Sequence, residues 1–229
     1  MRILTVGDSF TYGEELSDQQ AAWPHRLGDK YRDINRYVEV INLGEPAASN
    51  DKIVRLTLDC LINNANATFK GNIDLVVIGW TSPGRSEFAD ENGAFDLWPG
   101  YQGALFTRDG HNWRHELCSY ISKYHNREFY YIKYIQQVIL LQSFFKTLGI
   151  KYVMMDVLHN EYYRKNIKEL KDNYFNLIDK EKFLGFNSKG MCEWTYKCKQ
   201  GPNGHFLEEG HQIVADKIYE HIRHLGWFS

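Results

Sequence analysis

The chain has 229 residues, enough for one α/β domain with a full core, and no Pro/Gly/Ser linker or shift in composition divides it. Its formal net charge of −2 offers no basic stripe for nucleic acid, which argues against DNA or RNA as the main partner. No run approaches the ~18 apolar residues that span a bilayer, so no membrane partner is expected.

The opening residues MRILTVGD read as a strand rather than a secretory leader, and a soluble protein made in the cytoplasm is the expectation. Residues 2–7 form this first buried strand. Residues 8–13 make a turn, and residues 19–31 follow as a helix with Pro24 near its first turn. A second strand covers residues 37–43 and is closed by Gly44. Ser49 is placed as N-cap of a helix of about five turns, with Ile53, Leu56, Cys60 and Leu61 at helical spacing. Residues 74–79 are nearly all apolar, the pattern of a central parallel strand. Residues 80–116 are a long insertion, rich in Gly, Trp, Asp and Arg, without clear periodicity. A long helical stretch over 120–148 leads to a fourth strand at 151–157, then to helical pieces between 162 and 186. Residues 208–225 close the chain as an amphipathic helix, with Ile213, Val214, Ile218 and Ile222 on one side.

Strands alternating with helices predict an α/β fold: a flavodoxin-like parallel sheet in three layers, α/β/α, over residues 1–229. In such sheets chemistry gathers beyond the carboxyl ends of the strands. Three short motifs lie there. Gly7-Asp8-Ser9-Phe10-Thr11-Tyr12-Gly13 follows the first strand, Asn42-Leu43-Gly44 ends the second, and Gly204-His205 through Gly210-His211 leads into the last helix. A serine at a strand end and a histidine in a loop over the sheet edge suit a nucleophile and its general base. His211 lies inside the final helix, where packing is the better account. Gly44 offers a backbone N–H as an oxyanion donor, although glycine also ends strands for conformational reasons alone.

Taken together and in this order, GDSxTxG, NLG and GHxxxxGH resemble the SGNH (GDSL-type) hydrolases. The segments AWPxxL, NLGEPAASND and VIGWTSPGR are similar, more narrowly, to SGNH-type proteins encoded by tailed bacteriophages. The resemblance implies acyl transfer with Ser9 as nucleophile and His205 as base, and with the Ser9 and Gly44 N–H groups in the oxyanion hole. Two departures stand out. The family's Asn after strand three is missing from Gly79-Trp80-Thr81-Ser82-Pro83-Gly84-Arg85, which leaves the hydroxyls of Thr81 or Ser82, or the charge of Arg85, as substitutes. The family's Asp before the histidine is replaced by Pro202 and Asn203. Glu208, Glu209 or Asp156 could compensate, but a Ser–His dyad is the simpler expectation, with Asp8, Asn203 and Arg85 in support.

Two functions follow. One is a serine esterase removing acyl groups, acetyl foremost, from small molecules or carbohydrates, with Trp80, Trp98, Tyr101 and Trp113 stacking on sugar rings. The other is a weakened or inactive SGNH fold serving as a structural or binding component of a phage particle, with phage structural proteins as partners. No cofactor is expected, because no phosphate-cradling glycine loop follows a strand. Nor is a metal: His111 and His115 lack the HExxH order. Cys60, Cys118, Cys192 and Cys198 include no CxxC pair, so free thiols are expected.

Overall fold

The structure is a computed structural model that describes residues 1–34, 37–66, 72–99, 113–158, 171–186 and 189–228. Strands β1 (Arg2–Gly7) and β3 (Leu75–Trp80) are buried along their whole length, as strands covered on both faces must be. They lie side by side at the centre of a five-stranded sheet of order β2-β1-β3-β6-β7, every pair parallel. The half-buried β2 (Glu39–Gly44) forms one edge. On the other side follow β6 (Lys151–Asp156) and the two-residue β7 (Phe183–Leu184).

Alternating side chains send each strand's residues to two cores. Leu4, Val6, Val76, Ile78, Tyr152 and Met154 face helices α3 (Asn50–Asn66) and α5 (Arg127–Leu148). Ile3, Leu75, Val77, Val153 and Met155 face α2 (Trp23–Arg32) and the last helix, α8 (Glu208–His224), which buries Val214, Ala215, Ile218 and Ile222. This is the expected three-layer α/β/α fold. Its strand order reverses between β1 and β3, the crevice where ligands bind in open parallel sheets. No helix among the described residues is long and apolar enough to cross a membrane.

Ser49 caps α3 as expected, its Oγ accepting from Lys52 N at 3.2 Å. The long helix expected over 120–148 is two helices, α4 (Trp113–Tyr124) and α5. Asn126 separates them by capping Phe129 N at 2.9 Å. Two short helices, α6 (Lys171–Phe175) and α7 (Met191–Trp194), precede α8.

The insertion after β3 is more ordered than its composition suggests. Residues Ser86–Asp90 (β4) and Gly93–Leu97 (β5) pair as an antiparallel hairpin. Polar contacts fix it to the start of α3. Asp96 Oδ1 accepts from Ser49 N at 2.9 Å, Asp51 Oδ2 accepts from Glu87 N at 3.2 Å, and Arg55 Nε donates to Glu87 Oε2 at 3.0 Å. The hairpin thereby delivers Trp98, next along the chain, to the sheet's carboxyl edge.

Candidate active site

The site is built on one turn of helix, α1 (Ser9–Tyr12), set directly after β1. Asp8 is its N-cap: Oδ1 accepts from Phe10 N at 3.1 Å, and the Asp8 carbonyl accepts from Thr11 N and Tyr12 N at 2.9 Å each. Ser9 is thus the first helical residue, and its N–H has no acceptor within the helix. Gly13, at φ 91°, ends the turn in the left-handed region.

Glu15 also has a left-handed backbone, φ 68°, which costs a non-glycine residue on the order of 1 kcal/mol. Its carboxylate has three N–H partners. Oε1 accepts from Asn203 N at 2.8 Å, while Oε2 accepts from His205 N at 3.1 Å and from the His205 ring at Nδ1, 2.8 Å away. Burial acts to raise the Glu15 carboxyl's pKa, but the Asn203 and His205 donors outweigh it and hold it below the ordinary value. Gly201 leaves room for this, since a Cβ there would meet the Glu15 carboxyl carbon at 2.6 Å.

His205 is fixed from several directions. Gly201 N donates to its carbonyl at 2.8 Å, Leu207 N donates to Lys199 O at 3.0 Å, and its ring packs on Phe10 with centroids 4.7 Å apart. On the far side of the ring, Nε2 lies 2.8 Å from Ser9 Oγ. A carboxylate only accepts, so with Glu15 ionised the neutral imidazole carries its proton on Nδ1. Nε2 is then left to accept from the serine hydroxyl. Ser9, His205 and Glu15 form one continuous hydrogen-bonded line, the geometry that activates a nucleophile. Sequence reasoning missed Glu15 and favoured a dyad.

The other carboxylate candidates lie elsewhere. Asp156 Oδ1 accepts from Tyr134 OH at 2.6 Å, and Glu208 and Glu209 are exposed in the first turn of α8. Asn203 supports the site through its backbone N–H rather than its side chain.

Across Ser9 from His205, Asp8 is fully buried. Its Oδ2 accepts from Thr81 Oγ1 at 2.7 Å and faces Arg85 at 3.4 Å. Burial raises the Asp8 pKa, against the opposing pull of the Arg85 charge and the Thr81 and Phe10 hydrogen bonds. Thr81 therefore corrects an expectation: its hydroxyl, offered as an oxyanion donor, is directed into Asp8, and its backbone is held by Asn50, which accepts from Thr81 N at 3.0 Å. The Gly44 N–H is likewise engaged, donating to Asn42 Oδ1 at 3.0 Å. What demands glycine at 44 is close approach, since a Cβ would lie 2.4 Å from Tyr12 N.

The four aromatic candidates separate. Trp80 is wholly buried and meets Tyr134 edge-on at 5.9 Å in the core, so it cannot form a sugar platform. Trp98 lies at the site's border, with the Arg85 guanidinium 5.0 Å from its ring centroid. Tyr101 lies outside the described residues. Trp113 begins α4, but its side chain lies outside them too, as do His111 and the side chain of His115. Among the described residues no group of His, Cys, Asp and Glu is arranged to hold a metal, and all four cysteines are unbridged. His211 is a packing residue: 1% exposed, it accepts from Trp23 N through Nδ1 at 3.1 Å, and burial foremost pushes its pKa down to about 3.

Solved structures share this architecture. The psychrotrophic esterase EstA from Pseudoalteromonas sp., in a form inhibited by monoethylphosphonate, aligns with TM-score 0.57 and 15% identity over 98% of this chain and 97% of its own. A putative lipolytic protein of the G-D-S-L family from Desulfitobacterium hafniense DCB-2 aligns with TM-score 0.50 and 12% identity, covering 96% and 98%. A two-domain esterase (CEX) active on acetylated mannans, co-crystallised with mannopentaose, aligns with TM-score 0.51 and 13% identity over 98% of this chain and 49% of its own. At such identities these likenesses establish the fold, the SGNH hydrolase fold. Comparison with curated proteins gave no match. A family model described as a family of unknown function (DUF6071) matches residues 12–228, nearly the whole chain, and the protein belongs to that family.

Proposed function

We propose that this protein is a serine carboxylic ester hydrolase that removes acyl groups, acetyl foremost, from carbohydrates. The observation that carries the proposal is the line from Ser9 Oγ through His205 to Glu15, with both links to the imidazole at 2.8 Å. Ser9 Oγ attacks the ester carbonyl carbon while its proton passes to His205 Nε2. Glu15 stabilises the imidazolium that forms. The oxyanion of the tetrahedral intermediate is received by the Ser9 N–H at the head of α1. Collapse breaks the bond to the leaving alcohol, which takes the proton from Nε2. Water, deprotonated by His205, then attacks the acyl-serine and releases the acid. Acyl carbohydrates are favoured by the likeness to the mannan-active esterase and by Trp98 at the border, with Tyr101 and Trp113 as further stacking candidates.

A second reading, a structural or binding component of a phage particle, rests on the sequence resemblance alone, and a virion-attached esterase would satisfy both. Labelling with a fluorophosphonate separates activity from inactivity. Wild type is expected to label, and Ser9→Ala and His205→Ala are expected to lose labelling. Folded wild type that fails to label removes the hydrolase proposal and leaves the structural role.

A further inference from the structure

Glu14 and Glu15 are consecutive, yet their carboxylates lie at opposite nitrogens of one imidazole. Glu15 holds Nδ1, while Glu14 Oε2 lies 3.6 Å from Nε2, the nitrogen that faces Ser9 Oγ. Left-handed residues on either side, Gly13 and Glu15, turn the chain so that neighbouring side chains diverge. Glu14 N, donating to Ser9 O at 3.0 Å, ties this turn to the nucleophile. The two carboxylates differ in access, Glu14 being 37% exposed and Glu15 9%. Glu15 is held by three N–H groups, whereas Glu14 faces solvent, with its Oε2 beside His205 Nε2, a contact that becomes an ion pair when the imidazole takes up the serine proton.

Position decides what Glu14 can do. In acyl transfer Nε2 returns its proton to the departing oxygen, so that oxygen must come within hydrogen-bond reach of Nε2. Glu14 therefore borders the leaving group rather than the acyl group. A carboxylate there accepts a hydrogen bond from a hydroxyl beside the departing oxygen, as a sugar or other polyol presents. The same carboxylate repels a leaving group that carries its own negative charge. We infer that Glu14 is a specificity-determining residue that selects esters of neutral, hydroxyl-bearing alcohols and rejects esters whose leaving group is anionic. The inference rests on the hydrolase reading and deepens it.

Two acetate esters of matched shape test it: 4-acetoxybenzamide, with a neutral leaving group, and 4-acetoxybenzoate, with an anionic one. Their kcat/KM values are measured for wild type and Glu14→Gln, with fluorophosphonate labelling of Ser9 alongside. Wild type is expected to prefer the neutral ester by about fivefold at low salt, the scale of one partly screened charge. Raising salt to about 0.5 M narrows the preference, because exposed charges are screened beyond a few ångströms. Glu14→Gln brings the ratio to within about twofold at either salt. A wild type without preference, or a preference that Glu14→Gln leaves unmoved, overturns the role of Glu14 while Ser9 still labels. Loss of labelling in wild type overturns instead the hydrolase reading on which it rests.

Discussion

Asp8 and Glu15 flank the same serine, and their surroundings differ in nearly everything that governs a carboxyl. Asp8 has no solvent exposure, and burial dominates it in spite of Arg85 and Thr81, so its pKa is raised. Glu15 meets two backbone N–H groups and an imidazole, so its pKa is lowered although burial opposes this. Asp8 braces the loop after β3 against α1, and Glu15 holds the histidine that meets Ser9. The role of each carboxyl follows from the donors that converge on it rather than from its distance along the chain to Ser9.

The pH dependence of stability has opposite sign on the two sides. A raised carboxyl favours the protonated form in the fold, so Asp8's contribution is present below its ordinary value of 3.8 and lost as pH rises through the folded value. A lowered carboxyl does the reverse: Glu15's contribution is present above 4.5 and lost as pH falls through its folded value.

Substitutions should separate the two sides. The largest effect belongs to His205→Ala, which removes the proposed base and is expected to lower ester turnover by about 10⁴ or more while leaving the urea midpoint nearly unchanged. An equal loss of folding would blur the division between the two sides. Asp8→Ala acts on stability, because it leaves the Arg85 charge without its buried partner. A loss of about 3 kcal/mol in urea unfolding is expected, and a loss under 1 kcal/mol would show that the pair braces little. His211 provides a contrast with its neighbour in the same motif. Its folded pKa of about 3 lies below the unfolded 6.5, so the unfolded state binds the extra proton and stability falls as pH drops from 6.5 toward 3. Urea midpoints between pH 4 and 7 should show this slope in wild type and lose much of it in His211→Asn. The smallest effect is that of Trp98→Leu, which removes the stack on Arg85 and should cost about 1 kcal/mol of stability. A neutral result would leave the Arg85 guanidinium held by Asp8 and the Ala48 carbonyl.

How much of this was legible in the sequence depended on whether the cause was local. The central strands declared themselves through unbroken apolar runs, and Ser49 and the last helix through a cap and a 3.6-residue period. Ser9 could be placed because it follows the end of β1, and His205 because it lies just before α8 begins. The two-residue β7 is too short to carry a pattern. The β4–β5 hairpin owes much of its position to contacts with α3, among them Asp96 with Ser49 N and Glu87 with Arg55, and these partners are distant in the chain.

Glu15 escaped for a related reason. The family resemblance implies an acid just before His205, but that segment instead presents the Asn203 and His205 backbone N–H groups as donors to an acid from the other end of the chain. Only the left-handed backbone at Glu15, which its residue type does not announce, turns the carboxylate toward them. Thr81 and Gly44 show the converse. Sequence offers their donor groups, and only the fold reveals that Asp8 and Asn42 already accept from them.

In the proposed reaction Glu15 orients His205 toward Ser9 and stabilises the imidazolium as it forms, and the rate of Ser9 labelling by a fluorophosphonate in Glu15→Gln measures that contribution. Glutamine keeps the size and one acceptor oxygen but lacks the negative charge, so a fall of about 10³–10⁴ in labelling rate is predicted for a protein that still unfolds cooperatively in urea, at a lowered midpoint. Labelling of folded Glu15→Gln at the wild-type rate would contradict the account and leave Ser9 and His205 working as a pair.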